Sequence, residues 1–229
     1  LKVLVTGSHG FVGTHLRARL RARGDAVVGL DRGERAAEPG ERYLPSDLLS
    51  AADVRDAVRC ADPDVVFHLA ALAGRGGEAE ARQALAVNVR GTANLLEALL
   101  DRDRPVRVIH VGSSAQYGAG PSGDHPVDET APQRPLGVYG WSKVASEAVA
   151  LAHQGRGGID VVAARPFNHT GPGEPEHLAC SAFAKQIAAI EAGAAPVLRV
   201  GSLDAVRDLT DVRDIVAGYV ALAERGRPG

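Results

Sequence analysis

The stretch "VTGSHGFVG", residues 5–13, decides how this chain is read. It leaves a β-branched run, "KVLVT" (2–6), and opens a segment, 11–23, with helix-period apolar positions. At such a junction Gly7 permits a tight turn, Gly10 lets the backbone approach a pyrophosphate, and Gly13 allows close helix–strand packing. The amino end of the helix then offers free N–H groups and a favourable dipole to phosphates. The spacing is G-x-x-G-x-x-G rather than G-x-G-x-x-G, so the triplet alone weighs no more than an ordinary glycine-rich turn. Its position and its company have to decide.

Outward from that turn, "AVVGL" (26–30), "DVVFHLA" (64–70), "VRVIHVG" (106–112) and "IDVVAAR" (159–165) read as further strands, with a short third strand before "SDLLS" (46–50). Residues 51–60, 79–101 and 139–153 carry helical periodicity between them. Alternation of near-continuous apolar strands with amphipathic helices predicts a doubly wound, Rossmann-type parallel sheet covered on both faces. Right-handed connections place the strand carboxyl ends on one rim, where a ligand should bind. The Gly/Pro-rich stretches 112–138 and 168–177 are expected to be functional loops leaving that rim.

A chain of 229 residues can bury a large core, and its 45% apolar and 24% charged content is ordinary for a globular protein. A net charge of −2 gives no electrostatic reason to expect nucleic acid or an anionic membrane surface as partner. No spanning apolar run and no signal peptide are visible. Cys60 and Cys180 show neither paired-thiol nor metal spacing, so free thiols in a reducing cytoplasm, and no metal site, are expected. The chain starts at Leu1 and has no methionine, so this start need not be the translated one.

The second strand ends at Asp31, eighteen residues past Gly13, where a carboxylate can accept hydrogen bonds from ribose hydroxyls. It would repel a 2′-phosphate and so favours NAD over NADP. Arg32 beside it can hold that phosphate or stand as a solvated loop charge, which leaves NADP open. Asp47 is placed against an adenine edge or serves as a helix cap.

Arginine supplies almost all the cations of this chain; only three lysines occur, and one, Lys143, follows Tyr139 by one helical turn in "VYGWSK" (138–143). A phenol titrates near ~10 in water, so it exchanges protons at neutral pH only if its anion is stabilised. A nearby ammonium does that, and its compact, rotatable donors suit a ribose better than a planar guanidinium. Ser113 and Ser114 in "VGSSAQYG" (111–118) follow a long strand onto the rim, where a hydroxyl can hold a substrate oxygen beside the tyrosine. Taken singly, each feature is a surface pair or a turn of small residues. Glycine triplet, Asp31, strand-end serine and Y-x-x-x-K in that order are not a coincidence.

With these residues the sequence resembles the extended short-chain dehydrogenase/reductases, the NAD-dependent epimerase/dehydratase family of nucleotide-sugar enzymes. The resemblance runs through "DVVFHLAA", "NVRGTANLLEA", "GSSAQYG", "YGWSKVASE", "RPFNHTGPG", "AKQIAAIEAG" and "RDLTDVRDI". The last three are most similar to the GDP-4-keto-6-deoxymannose reductases and their GDP-mannose 4,6-dehydratase relatives. The resemblance implies catalytic roles for Ser113, Tyr139 and Lys143, with Ser113 four positions before Tyr117. It implies a dinucleotide lined by Gly7, Gly10, Phe11, Val12, Gly13, Asp31, Arg32, Asp47, Leu48, Leu69, Ala70, Ala71 and Pro166, besides Tyr139 and Lys143. Ser114, Asn168 and Arg207 would meet substrate, with His169 on the same loop. Arg207 would grip a diphosphate, unless it merely pairs with Asp208. Asn88 would be the family's helix asparagine or would simply bond backbone.

No carboxylate follows Ser113, where Ser114, Ala115 and Gln116 stand, so dehydration at C5–C6 is not expected. The expected activity is nicotinamide-dependent reduction of a nucleotide-linked 4-keto-6-deoxyhexose. The alternatives are a nucleotide-sugar 4-epimerase and a catalytically silent dinucleotide-binding module. The expected organisation is a dinucleotide-binding domain at 1–165 and a partial, truncated substrate lobe at 166–229, since such proteins usually run on past the residue reached here. A cytoplasmic homodimer, formed through helices like 79–101 and 139–153, completes the expectation.

Overall fold

Six strands carry the architecture of the computed structural model, which describes residues 1–33, 40, 42–74, 77–119, 126–204 and 206–229. They are β1 (Lys2–Thr6), β2 (Ala26–Asp31), β3 (Arg42–Pro45), β4 (Val65–His68), β5 (Val106–Val111) and β6 (Ile159–Ala164). All pair in parallel, in the order β3-β2-β1-β4-β5-β6. The order reverses between β1 and β4, which opens a crevice at their carboxyl ends. This is the doubly wound, Rossmann-type sheet that the sequence predicts. A short parallel pair, β7 (Asn168–Thr170) and β8 (Leu209–Asp211), forms a second sheet.

The helices are α1 (Phe11–Ala22), α2 (Ala51–Ala61), α3 (Glu78–Leu85), α4 (Gly91–Leu100), α5 (Gly137–Leu151), α6 (Ala179–Glu191) and α7 (Val212–Arg225). Side chains alternate along each strand, so the sheet feeds two cores. Leu4, Val66, Val108 and Val161 pack with Val54 and Val58 of α2, Leu95 and Leu99 of α4 and Ala150 of α5. Val3, Val5, Phe67, Ile109 and Val162 pack on the opposite face with Leu16 and Leu20 of α1 and Val216 and Val220 of α7. Each such fully buried aliphatic side chain contributes about 2 kcal/mol of transfer free energy. The residues expected to form a shortened lobe therefore divide. α7 is part of the layer covering the sheet, β7 and β8 lie beside it, and α6 buries no residue.

Three local departures from the sequence reading bear on the site. The single helix predicted over 79–101 is α3 and α4 joined by a π-helical turn, Ala86–Arg90; one extra residue in a turn leaves the apolar period almost unchanged. The strand predicted over 64–70 ends at His68, and Leu69–Ala71 peel away to line the crevice. β7 lies inside 168–177, read as loop, because three residues are too few for alternation to register. The segment 120–125 of the predicted rim loop lies outside the described residues. Among the described residues no helix is long and apolar enough to cross a membrane.

Candidate active site

The glycine turn is built backbone against backbone. Gly7 has φ +66°, and a Cβ there would stand 2.8 Å from the amide nitrogen of Ala70 at the end of β4. A Cβ on Gly13 would stand 2.3 Å from the carbonyl oxygen of Gly7, so its close contact is with the turn rather than with the strand. The turn is fastened by Gly7 N–H to the Leu30 carbonyl at 2.9 Å and by buried Arg17, whose Nε donates to the Ser8 carbonyl at 2.8 Å. Gly10 caps α1 with no side chain across its first N–H groups, which leaves them facing the crevice.

A cleft of about 250 Å³ opens there, lined by Gly7, Gly10, Asp31, Arg32, Asp47, Leu48, Leu69, Ala70 and Ala71. Leu30, Ser46, Leu72 and Val87 also line it, though nothing in their local sequence marks them. Asp31 sits at the last position of β2, where its carboxylate accepts from the amides of His9 (3.2 Å) and Arg32 (2.9 Å). Two oxygens with several lone pairs remain able to accept ribose hydroxyls. Arg32 is exposed. Asp47 is not the cap of α2: Ser50 is, accepting from Asp53 N–H at 3.3 Å, while Asp47 closes a turn on Leu49 N–H at 2.9 Å. Glycine turn, open helix end and ribose-level carboxylate fit a dinucleotide.

A second cleft of about 280 Å³ shares Leu69 and Ala71 with the first. Ser113, Ser114, Tyr139, Lys143, Pro166, Asn168 and His169 all line it, with Val12 and, unforeseen, Tyr219. Phe11 stands at its edge, its ring 6.0 Å from that of His169 and nearly parallel to it. The structure thus brings the serine, tyrosine and lysine into one cleft. Arg207 joins neither cleft: it is exposed and donates to the carbonyl of Val206 at 2.7 Å rather than pairing with Asp208.

Tyr139 and Lys143 share a face of α5, and Lys143 is 4% exposed. Among the described residues its ammonium finds no hydrogen-bond acceptor. Burial brings its pKa down to about 8, against the opposing pull of Glu147 one turn on. Beneath it lie His68 and His110, neighbours across β4 and β5 with ring centroids 5.7 Å apart. Burial first, and the lysine charge second, lower both, His68 to about 3, so both are neutral imidazoles. For His68 the tautomer follows. Thr92 Oγ1 spends its proton on the Asn88 carbonyl at 2.6 Å, so it accepts from Nε2–H at 2.8 Å, and Nδ1 accepts from Thr6 Oγ1 at 2.7 Å.

Asn88, placed by the π-helical turn, bonds both backbone groups of Leu72, at 2.8 and 2.9 Å. It also donates to Ser142 Oγ at 2.8 Å, which donates to the Tyr139 carbonyl at 2.7 Å. The backbone-bonding alternative for Asn88 is thus realised, with a side-chain link to the start of α5. Ser113 follows β5 into a 3₁₀ turn, Ser114–Tyr117, where its Oγ accepts from Ala115 N–H at 3.2 Å. Ser114 N–H donates to the Pro166 carbonyl at 2.9 Å. A carboxylate missed from the sequence, Glu147, stands behind this turn with Arg165. Its place in "YGWSKVASE" gave no sign of what it meets.

The fold and the two adjacent clefts define an enzyme built to bind a nicotinamide dinucleotide. The chain belongs to the NAD dependent epimerase/dehydratase family, whose model matches residues 3–229. It is 34% identical to the GDP-6-deoxy-D-mannose reductase of Pseudomonas aeruginosa, covering 100% of this chain and 72% of that protein. It superposes on MoeE5 in complex with UDP-glucuronic acid and NAD with a TM-score of 0.83 and 34% identity, over 100% of this chain and 74% of that one. On Thermus thermophilus UDP-glucose 4-epimerase in complex with NAD the TM-score is 0.84 and the identity 29%, over 98% of this chain and 75% of the other.

These comparisons correct the expectation of a 4-keto-6-deoxyhexose reductase. Beside the Pseudomonas reductase stand UDP-glucuronate 4-epimerases of Arabidopsis thaliana, 28–31% identical, and the UDP-glucose 4-epimerase of Mycolicibacterium smegmatis, 32% identical. MoeE5, the Bacillus cereus UDP-glucuronic acid 4-epimerase and the Methanobrevibacter ruminantium UDP-N-acetylglucosamine 4-epimerase, on which the chain also superposes, are solved in complex with UDP-sugars. The chain spans about half the length of the Arabidopsis relatives, 50–54%.

Proposed function

We propose that this chain is a nucleotide-sugar 4-epimerase acting on a UDP-hexose or UDP-hexuronic acid with NAD. The observation that carries the proposal is the convergence of Ser113, Tyr139 and Lys143 in a cleft that shares Leu69 and Ala71 with the Gly7–Asp31 cleft. Bound nicotinamide would supply the hydride acceptor and donor for the sugar C4. Tyr139 takes the proton of the C4 hydroxyl and returns it, and Ser113 holds that oxygen throughout. Lys143 presents an unengaged ammonium that binds ribose hydroxyls and favours the phenolate. Epimerisation also needs the 4-keto sugar to turn between the two hydride transfers. Residues 166–229, including Asn168 and His169 at the cleft, are assigned to the substrate side, and 1–165 to the cofactor side. Asp31 favours NAD over NADP.

Dehydration has no proton carrier here. Gln116 follows Ser113 where a carboxylate would serve, and both oxygens of Glu147 are held by Arg165 and glutamine amides. The test is to incubate the protein with UDP-glucose or UDP-glucuronate and NAD and to follow C4 configuration and nicotinamide absorbance together. Interconversion with no net reduced nicotinamide is expected, abolished by Tyr139→Phe. Consumption of one reduced cofactor per turnover, or full activity in the phenylalanine variant, overturns the proposal. The exposed apolar side chains of Leu85 on α3 and Val138 and Trp141 on α5, 37–58% accessible, are assigned to contact with a second copy. Trp141→Glu should then shift light-scattering mass toward the monomer.

A further inference from the structure

A short polar chain links Ser113 to the helix that carries Tyr139 and Lys143. Ser113 N–H donates to Gln116 Oε1 at 2.8 Å, and Gln116 Nε2 donates to Glu147 Oε2 at 2.8 Å. Glu147 also accepts from Gln133 Nε2 at 3.1 Å and from the Arg165 guanidinium through Nε (2.9 Å) and Nη2 (2.5 Å). Gln116 is 0% and Glu147 2% exposed. The fit is tight enough that a Cβ on Gly112, just before the serine, would stand 2.2 Å from Gln116 Oε1.

The direction of this chain follows from charge. An ionised carboxylate only accepts, so the Gln116 amide must turn its NH₂ to Glu147 and its oxygen to Ser113 N–H. Hydrogen bonds to a charged partner are about twice as strong as neutral ones. Arg165 keeps the carboxylate ionised from behind, anchored in turn to Tyr117 Oη and the Glu129 carbonyl, both at 3.1 Å. Glu147 also stands one helical turn after Lys143 on α5, so one carboxylate faces both the serine turn and the ammonium.

We infer that Glu147 is a positioning residue of the reaction: through Gln116 it fixes the backbone that presents Ser113, and along α5 it holds the charge of Lys143. The inference rests on the proposed roles of Ser113, Tyr139 and Lys143. Among the described residues, the charged and titratable groups around Lys143 are His68 from β4, His110 from β5, and Tyr139 and Glu147 from its own helix, with Tyr219 and His169 lining the same cleft and Arg165 behind Glu147. His68 and His110 are already neutral, so among the described residues Glu147 is the anion that opposes the desolvation of the ammonium.

Two substitutions separate the two links. Gln116→Leu cuts the path to Ser113 and leaves the Glu147–Arg165 pair in place. It should lower kcat by about tenfold through misplacement of the serine, with the Lys143 titration unmoved. Glu147→Gln should lower kcat by a similar factor and also move the Lys143 titration to lower pH. That titration is read directly, without turnover, from the ¹³Cε signals of labelled lysine, since only three lysines occur. Thermal melting run alongside identifies a variant that is merely unfolded; if Glu147→Gln is, the Gln116→Leu kcat decides alone. A folded Gln116→Leu protein with unchanged kcat, or a folded Glu147→Gln protein with an unmoved titration, overturns the inference. If Ser113→Ala and Tyr139→Phe retain activity, the underlying reading fails instead, and the two failures are told apart.

Discussion

Lys143→Met should make the protein more stable while removing its activity. Lys143 is 4% exposed, its ammonium has no acceptor among the described residues, and burial brings its pKa down from 10.5 to about 8. At ~1.4 kcal/mol per pH decade, that fall corresponds to about 3 kcal/mol of stability lost while the group stays protonated. Methionine is similar in length, flexible and uncharged, so it fills the space without the desolvation cost. The sign follows from proton binding. Between pH 8 and 10.5 the unfolded chain holds the lysine proton and the folded chain has released it, so wild-type stability rises with pH across that window. The advantage of the variant is therefore full below pH 8, shrinks through the window, and vanishes above it.

Denaturant unfolding of both proteins without cofactor, at closely spaced pH values, measures the difference directly; titrations of groups not coupled to Lys143 cancel between them. Turnover should fall by about a hundredfold or more, because Tyr139 loses the cation that favours its anion. A variant less stable than wild type at pH 7, or an advantage that does not change with pH, would show that the ammonium is compensated in the fold. The assigned role of Lys143 would then lose its electrostatic basis. A gain in stability on deleting a site residue is the usual mark of a group kept for function.

Three further outcomes follow from particular contacts. Gly13→Ala places a methyl 2.3 Å from the Gly7 carbonyl oxygen, so α1 must draw back from the turn. Calorimetry should show a loss of dinucleotide affinity together with about 1–3 kcal/mol of lost stability, and unchanged affinity would remove the turn from the cofactor site. Arg165→Met strands Glu147, whose side chain is 3% exposed, and should cost about 3–5 kcal/mol in denaturant unfolding at neutral pH. Burial works to raise the Glu147 pKa, yet the hydrogen bonds of Arg165 and Gln116 outweigh it and lower it, so wild-type stability from this group should be lost only as pH falls through its depressed value. Tyr219→Phe removes a buried hydroxyl with no partner among the described residues and should leave the melting temperature equal or higher; a marked fall would reveal a partner in solution.

What could be read from the sequence is what depends on neighbours along the chain. The glycine turn, the strand ending at Asp31 and the one-turn spacing of Tyr139 and Lys143 are local. Each lands where its spacing requires. Residues that matter through meetings across the fold left no such trace. His68 and His110 lie in separate strands and become a pair only through the parallel register of β4 with β5. Glu147, Gln116 and Arg165 come from α5, a 3₁₀ turn and the end of β6, and no period joins them. Arg207 shows the converse: a motif match that the structure leaves in solvent. The substrate was hardest to read for a chemical reason. Reduction and epimerisation share hydride exchange at C4, so the serine, tyrosine and lysine proposed here would serve either. The difference lies in whether the keto sugar has room to turn over before hydride returns. That is a property of the cavity wall facing Ser113 and Tyr139, and no pair of residues in the sequence encodes it.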